Sequence, residues 1–482
     1  MQSPANYLAI DLGASGGRAI LVRFDGLTFS PTEVHRFENK PLQSGGGLFW
    51  DVATLFEEIK TGLRRCSEQG HHLSSIAIDT WGVDFALLAP SGELLDRPRH
   101  YRDPRNAPAM EQALQLVPRE QIYESTGIQF MPLNTLFQLF AAARAPERLL
   151  DSASDLLFIP DLFNYWLTIE QRCEYTHATT TQIYNPVKKT WDEDIIETVG
   201  LPLDIFPQVV QPGTILGSMK NINVTTPASH DTGSAVAAVP TKAKEFCYIS
   251  SGTWSLLGTE LASPVINDKV YEQNFTNEGG VGGTTRLLRN LPGLWFEQEL
   301  LREWVSKGAA VNYDDMQTMA SVSVPFKSFI DPWDASFLAP GEMTPRIVQF
   351  CRSTGQHEPM SMGEHIRCVY DSLAVLYRHA LKQLESITGT EYTYIHVIGG
   401  GSRNKVMNQF TADATGRTVI AGPVEATALG NAIMQLRGIG ILTDVWEARE
   451  LLKETLDLEY YHSQSGADWD TAYTRFMELI PQ

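Results

Sequence analysis

Residues 11–18 read Asp-Leu-Gly-Ala-Ser-Gly-Gly-Arg, which sets a carboxylate, a run of small residues and a guanidinium close together. Amides unshielded by bulky side chains can approach an anion closely, while the carboxylate suits a hard cation and the Arg carries a permanent charge. That combination suits the phosphates of a Mg2+-bound nucleotide; the plainer alternative is a tight turn with Asp11 bonding its own backbone. Ser229-His-Asp-Thr-Gly-Ser234 precedes the apolar run Ala235-Val-Ala-Ala-Val239 and reads as a loop feeding a helix. Asp231 there is placed to act as a base, unless it or Thr232 merely caps the helix. A Ser-His-Asp hydrolase triad is excluded, because adjacent residues cannot hold the nucleophile, base and orienter in line. Gly399-Gly-Gly-Ser-Arg-Asn404, followed by Val406, Phe410 and Ala414 at helical spacing, offers bare backbone to a flat ligand such as adenine. Ile78-Asp-Thr-Trp-Gly-Val-Asp-Phe85 places an aromatic, a Gly and two carboxylates between apolar runs, as a polyol-binding wall would, or as a core Trp81 would. His71-His72 lacks the partner spacing of a metal site. Neither G-x-x-x-x-G-K-[ST] nor G-x-G-x-x-G occurs, so a P-loop and a Rossmann site lack their fingerprints.

Two stretches must position these groups, and they share one grammar of apolar run, Gly/Ser/Thr turn and second apolar run. They are Tyr7 to Val22 and Phe246 to Gly258, each read as a β-hairpin. Leu55, Phe56, Ile59 and Leu63 have helical spacing, and strands are expected at Ile76–Asp79 and Val83–Leu88. Ser361-Met-Gly-Glu364 has the pattern of a capping box opening a long amphipathic helix through Leu384, and Tyr394–Ile398 is a strand running into the glycine turn. The duplication predicts a tandem pair of α/β domains that part near Val239-Pro-Thr-Lys-Ala-Lys244, with function between them.

Length and composition agree with that plan. A chain of 482 residues implies two or three domains, and 43% apolar with 20% charged residues is ordinary globular usage. A formal charge of −19 argues against nucleic acid and anionic membrane surfaces as partners, though a few amides, one Arg and a cation can reverse the sign locally. The start MQSPANYLAID has no basic segment followed by an apolar one, and no apolar run approaches membrane-spanning length, so a cytoplasmic location is expected. The five cysteines show no C-x-x-C spacing and are expected as buried thiols.

In order, these motifs resemble those of the FGGY carbohydrate kinases, from Leu8 to about Asn431. The broad family pattern is similar to Gly399-Gly-Gly401, Gln409, Ala412-Asp413 and Glu425-Ala-Thr-Ala-Leu-Gly430. Members acting on L-rhamnulose are resembled more narrowly at Ile78–Phe85, Tyr101-Arg-Asp103, Gly127–Phe130, Asn134–Leu136, Ala178–Gln182, Ser229–Thr232, Ser250–Ser255, Thr276–Gly280 and Ala421–Val424. Gly16 stands where Ser is usual and Gly233 where Ala is usual; both are smaller residues. The resemblance implies an α/β fold of two actin-like, ribonuclease H-like (hexokinase-type) domains flanking a central ATP and sugar cleft, at 1–238 and 245–436, with a helical extension over 437–482. It implies ATP- and Mg2+-dependent phosphorylation of L-rhamnulose at its 1-hydroxyl, a step in rhamnose metabolism. By position, the phosphate loop becomes Ala14, Ser15, Gly16, Gly17 and Arg18, with Asp11 beside Mg2+. Asp231 becomes the catalytic base, Thr253, Gln298, Gly400 and Gly401 contact nucleotide, and Gly82, His230, Thr232 and Asn290 contact the sugar along with Asp231. A kinase for another ketose, such as L-fuculose or L-ribulose, and an actin-like ATPase without a sugar substrate remain the alternatives.

Overall fold

The computed structural model describes residues 5–337, 339–464 and 468–480. The chain forms two compact units, and neither is contiguous: one holds residues 1–242, 260–288 and 425–456, the other 243–259, 289–424 and 457–482.

The first unit is built on a six-stranded sheet in the order Ile215–Met219, Ile222–Thr225, Leu73–Thr80, Ala5–Leu12, Gly16–Phe24, Phe29–Glu38. Ala5–Leu12 pairs antiparallel with Gly16–Phe24, placing Asp11 opposite Arg18, and parallel with Leu73–Thr80, placing Asp11 opposite Asp79. Successive side chains of a strand point to opposite faces. Leu8, Ile10 and Leu12 join the core cluster with Val52, Leu55 and Ile59 of the Val52–Glu68 helix, while Tyr7 and Ala9 are equally buried on the other face. With both faces covered, the strand reads as one apolar run rather than an alternation. The Val52–Glu68 helix starts where the Asp51 side chain accepts the Thr54 amide.

The face carrying Asp11 and Asp79 is covered by the Ala426–Gly438 helix, whose Gln435 side chain donates to the Leu8 carbonyl at 3.1 Å. This helix crosses the Asp231–Ala237 helix so closely that a Cβ on Gly430 would lie 1.7 Å from the Ser234 carbonyl oxygen. That approach explains the glycine, and the contact explains why residues 425–456 belong with the first unit although the sequence suggested a contiguous boundary. Within the stretch read as a C-terminal extension, the Val445–Thr455 helix carries buried Arg449, which pairs with Glu260 at 2.8 Å and donates to the Val236 carbonyl at 3.0 Å.

The second unit centres on the hairpin Cys247–Ser251 and Trp254–Leu261, in register from Cys247 opposite Thr259 to Ser251 opposite Ser255. Cys247–Ser251 pairs parallel with Tyr394–Ile398, which pairs parallel with Thr418–Ala421, and Glu459–Tyr461 closes that edge antiparallel. The long helix runs Met362–Thr388. Its capping box is half made: Ser361 accepts the Glu364 amide, but the Glu364 carboxylate takes the Met360 amide instead of that of Ser361. All five cysteines are buried and unbridged.

Candidate active site

In the first unit, Asp11 is the last residue but one of its strand, and the turn that follows closes with the Gly13 amide donating to the Gly16 carbonyl at 2.8 Å. Arg18 does not reach out of this turn as a lone cation. Its guanidinium lies 2.5 Å from Asp11 Oδ2 and 2.5 Å from Glu425 Oε2, so both charges of the loop are already engaged. Behind Asp11, Asp79 is fully buried; Asn431 donates to its Oδ2 at 2.5 Å, and its Oδ1 has no hydrogen-bond partner. Burial pushes the Asp79 carboxyl well above the usual carboxylate range, and the charge of Asp11 adds to the effect. Asp79 and Glu425 stand in the sequence within the motifs Ile78–Phe85 and Glu425–Gly430, where nothing marks either as a member of this cluster. The available signal was that two strand-like apolar runs, Tyr7–Ile10 and Ile76–Ile78, each lead into an Asp, which parallel pairing sets opposite each other.

Asp231 is the first residue of the Asp231–Ala237 helix, and His230 holds the N-cap position without a side-chain cap bond. Asp231 is therefore no cap: its Oδ1 accepts the Thr232 amide at 2.5 Å and the Thr232 hydroxyl at 3.1 Å. The side chain keeps 31% exposure. Burial of its inner side raises its pKa, the charge of Asp11 adds to this, and His230 and Thr232 oppose it. A carboxyl tuned upward and open on one side can take a proton from a bound hydroxyl.

The loop is held from below by Glu174, whose carboxylate accepts the Ser229 amide at 2.8 Å and the Thr176 hydroxyl at 2.5 Å; the His230 amide donates to that hydroxyl oxygen at 3.2 Å. Burial brings Glu174 up to about 7. His230 Nε2 lies 3.6 Å from Asp231 Oδ1, and its Nδ1 lies 3.2 Å from Glu278 Oε2. Gly82 borders the same space: a Cβ there would meet Thr180 Cγ2 at 3.3 Å and the His230 ring at 3.4 Å. Gly82, His230, Asp231 and Thr232 are thus brought together.

The segment around Trp81 differs from an open polyol wall. Asp84 is completely buried and gathers the Trp50 indole N–H (2.5 Å), the Trp81 indole N–H (3.0 Å), the Tyr101 amide (3.1 Å) and the Gln138 amide group (2.7 Å). Its burial raises it to about 7 against those four bonds. Trp81 packs on Trp50 with ring centres 4.0 Å apart. Asp84 shapes the loop from inside and presents no carboxylate to a ligand.

In the second unit, Thr253 donates through Oγ1 to Gln298 Oε1 at 3.2 Å, joining the hairpin turn to the Trp295–Ser306 helix. A Cβ on Gly401 would overlap the Ser251 hydroxyl at 2.0 Å, whereas one on Gly400 would meet nothing within 4 Å. Gly401 therefore packs the turn onto the hairpin, and Gly400 leaves bare backbone on its open side. Buried Glu297, raised to about 7 by desolvation, accepts the Tyr370 hydroxyl, and Asn404 donates to that hydroxyl at 2.7 Å. This buried group was not singled out in the sequence. Asn290 lies half-buried in the Thr285–Pro292 strand. Among the described residues, no group of three or more His, Cys, Asp or Glu could hold a metal ion, and no helix is long and apolar enough to cross a membrane.

Comparison with known proteins matches this arrangement to one family over both units. The pattern of the N-terminal domain of the FGGY family of carbohydrate kinases matches residues 6–230, and that of the C-terminal domain matches residues 247–439. A rhamnulokinase of Bacteroides thetaiotaomicron is 41% identical, over 98% of this chain and 99% of its own length. A rhamnulokinase of Halalkalibacterium halodurans is 42% identical, over 95% and 99%. In fold, a ligand-bound xylulose kinase from Lactobacillus acidophilus superposes with a TM-score of 0.79 at 15% identity, covering 98% of this chain and 96% of that one.

Proposed function

The chain belongs to the FGGY family of carbohydrate kinases, and we propose that it transfers the γ-phosphoryl group of ATP to the 1-hydroxyl of L-rhamnulose. The substrate follows from the rhamnulokinases, at about two-fifths identity over nearly the whole chain, rather than from any single contact. Other ketoses and a sugar-free ATPase have no comparable support.

The observation that carries the mechanism is Asp231, whose Oδ1 is fixed by Thr232 while the carboxyl stays partly open beside His230 and Gly82. Phosphoryl transfer proceeds through a loose transition state, so orientation of the acceptor hydroxyl matters more than an early, strong base. In this reading Asp231 accepts the hydroxyl proton late, and His230, Thr232 and Gly82 shape the space for the sugar. Ala14, Ser15, Gly16 and Gly17 offer amides to the phosphates. Thr253, Gln298, Gly400 and Gly401 form the nucleotide side in the second unit.

The oxygen donors of this corner suit Mg2+, which prefers one or two carboxylates together with substrate phosphates. Asp11 would hold it, with the buried, unpartnered Asp79 Oδ1 behind, and it would supply neutralisation of the triphosphate charge. Arg18 and Glu425 then act as the local counter-charges that keep Asp11 in place before nucleotide arrives. We place the enzyme in the cytoplasm, where ATP is available.

An ADP-release assay across a panel of ketoses tests the proposal. L-rhamnulose should give the highest kcat/KM by at least about tenfold, since a buried polar pocket penalises a misplaced hydroxyl by that much or more. Equal turnover with L-fuculose or L-ribulose, or ATP turnover indifferent to every sugar, would defeat it.

A further inference from the structure

Resting on the reading of Asp231 as the acceptor-side base, we infer that Arg286, backed by Glu278, occupies the lone pair of His230 Nδ1 and so keeps the ring proton on Nε2, from which the ring donates a hydrogen bond at the sugar site.

Arg286 is wholly buried in the Thr285–Pro292 strand, and its Nε donates to the Gly279 carbonyl at 2.8 Å, which fixes the guanidinium plane. One terminal nitrogen, Nη2, then lies 3.1 Å from Glu278 Oε2 and 3.3 Å from His230 Nδ1. Although burial pushes Glu278 up, the Arg286 guanidinium beside it holds it below the usual carboxylate range, so it faces the ring as an anion.

His230 Nδ1 therefore has two neighbours with opposite demands. A guanidinium can only donate, which requires a lone pair on Nδ1, whereas a carboxylate can only accept, which requires a proton there. Alignment decides between them. The Arg286 contact has hydrogen-bond geometry, while Glu278 Oε2, at 3.2 Å from the same nitrogen, has no aligned partner. Glu278 thus serves as counter-ion to a buried cation that would otherwise be uncompensated, and Nδ1 is the acceptor.

With Nδ1 accepting from Arg286, the ring proton must sit on Nε2. That nitrogen lies 3.6 Å from Asp231 Oδ1 and 3.4 Å from the point where a Gly82 side chain would begin, so its N–H faces the space assigned to the sugar. The opposite tautomer would aim a second basic lone pair at the acceptor hydroxyl and compete with Asp231 for its orientation. Arg286 is a positioning residue in this scheme: it acts through His230.

The ring can be observed directly, without turnover. Full-length protein labelled with 15N-histidine, free of sugar and nucleotide, is studied by long-range 1H–15N correlation, with the His230 signals identified by their loss in His230→Gln. The wild-type ring should show the Nε2-protonated pattern. Arg286→Met removes the donor to Nδ1, so the proton should no longer be confined to Nε2; Glu278→Gln retains Arg286 and should leave it on Nε2. In kinetics, Arg286→Met should raise the sugar KM about tenfold, the loss of one hydrogen bond, with a smaller effect on kcat. A wild-type ring protonated on Nδ1, or an unchanged tautomer in folded Arg286→Met, overturns the inference. If Arg286→Met does not fold, the wild-type spectrum decides alone. The base assignment is tested separately: full activity in Asp231→Asn would remove the base and leave the tautomer measurement standing.

Discussion

Replacing Asp231 by Asn isolates the one property the proposed mechanism needs. The amide oxygen can keep both bonds now made by Oδ1, to the Thr232 amide at 2.5 Å and its hydroxyl at 3.1 Å. No helix cap is lost either, because His230 occupies that position and makes no side-chain cap bond. What disappears is the ability to accept a proton. General-base assistance is worth about 10²–10⁴ in rate, which at about 1.4 kcal/mol per factor of ten is a barrier increase of about 3–5 kcal/mol. The loss should appear in kcat with saturating ATP and L-rhamnulose, while the KM for ATP stays within about threefold. Stability should move the other way. Burial raises the folded-state pKa of Asp231, so the group stabilises the fold most below its unfolded pKa and loses that contribution as pH rises through the folded value. At pH 8 the ionised carboxylate is a cost to folding, and neutral Asn removes it, so Tm should be equal to or above wild type. A folded Asn variant retaining more than about a tenth of wild-type kcat refutes the assignment of Asp231 as the base.

Gly430→Ala should destabilise the first unit by about 3 kcal/mol or more, read by urea unfolding, because its Cβ would fall 1.7 Å from a backbone oxygen that cannot step aside. Gly82→Ala should raise the sugar KM about tenfold without affecting the KM for ATP, since the new methyl crowds His230 and Thr180 at 3.3–3.4 Å on the sugar side. Asp84, raised to about 7, stabilises the fold fully below its unfolded pKa and loses that contribution as pH climbs through about 7. Asp84→Asn should therefore show a larger stability deficit at pH 5 than at pH 8 in paired denaturation curves; an equal deficit at both would contradict the raised pKa.

The local parts of the site could be read from local sequence. Each glycine turn sits between apolar runs that announce their strands, and the His-Asp-Thr segment precedes a run of small apolar residues that must start a helix. The partners of these parts could not be read the same way. Arg18 meets Glu425 across 407 positions and Asp79 meets Asn431 across 352, and no periodicity encodes such distances. Asp84 was misleading for a related reason: a carboxylate beside Trp and Gly looks like a ligand contact until Gln138 and Trp50 are seen to enclose it. Glu278 lies within Thr276–Gly280 and Arg286 six positions beyond it, and nothing in their neighbours shows that both are buried against His230.

The helix Ala426–Gly438, which covers one face of the first sheet, has a consequence for how the protein is made. Synthesis proceeds from the N-terminus, so the strands Ala5–Leu12 and Leu73–Thr80 emerge hundreds of residues before the element that shields Tyr7 and Ala9. During that interval the nascent chain carries an apolar face and an unpaired Asp79, a state that chaperones bind and that aggregates when they are scarce. Completion of the first unit must await synthesis of residues 425–456. A chain released early, before about residue 438, would keep its phosphate turn and its Asp231 but not the helix that holds both against the sheet.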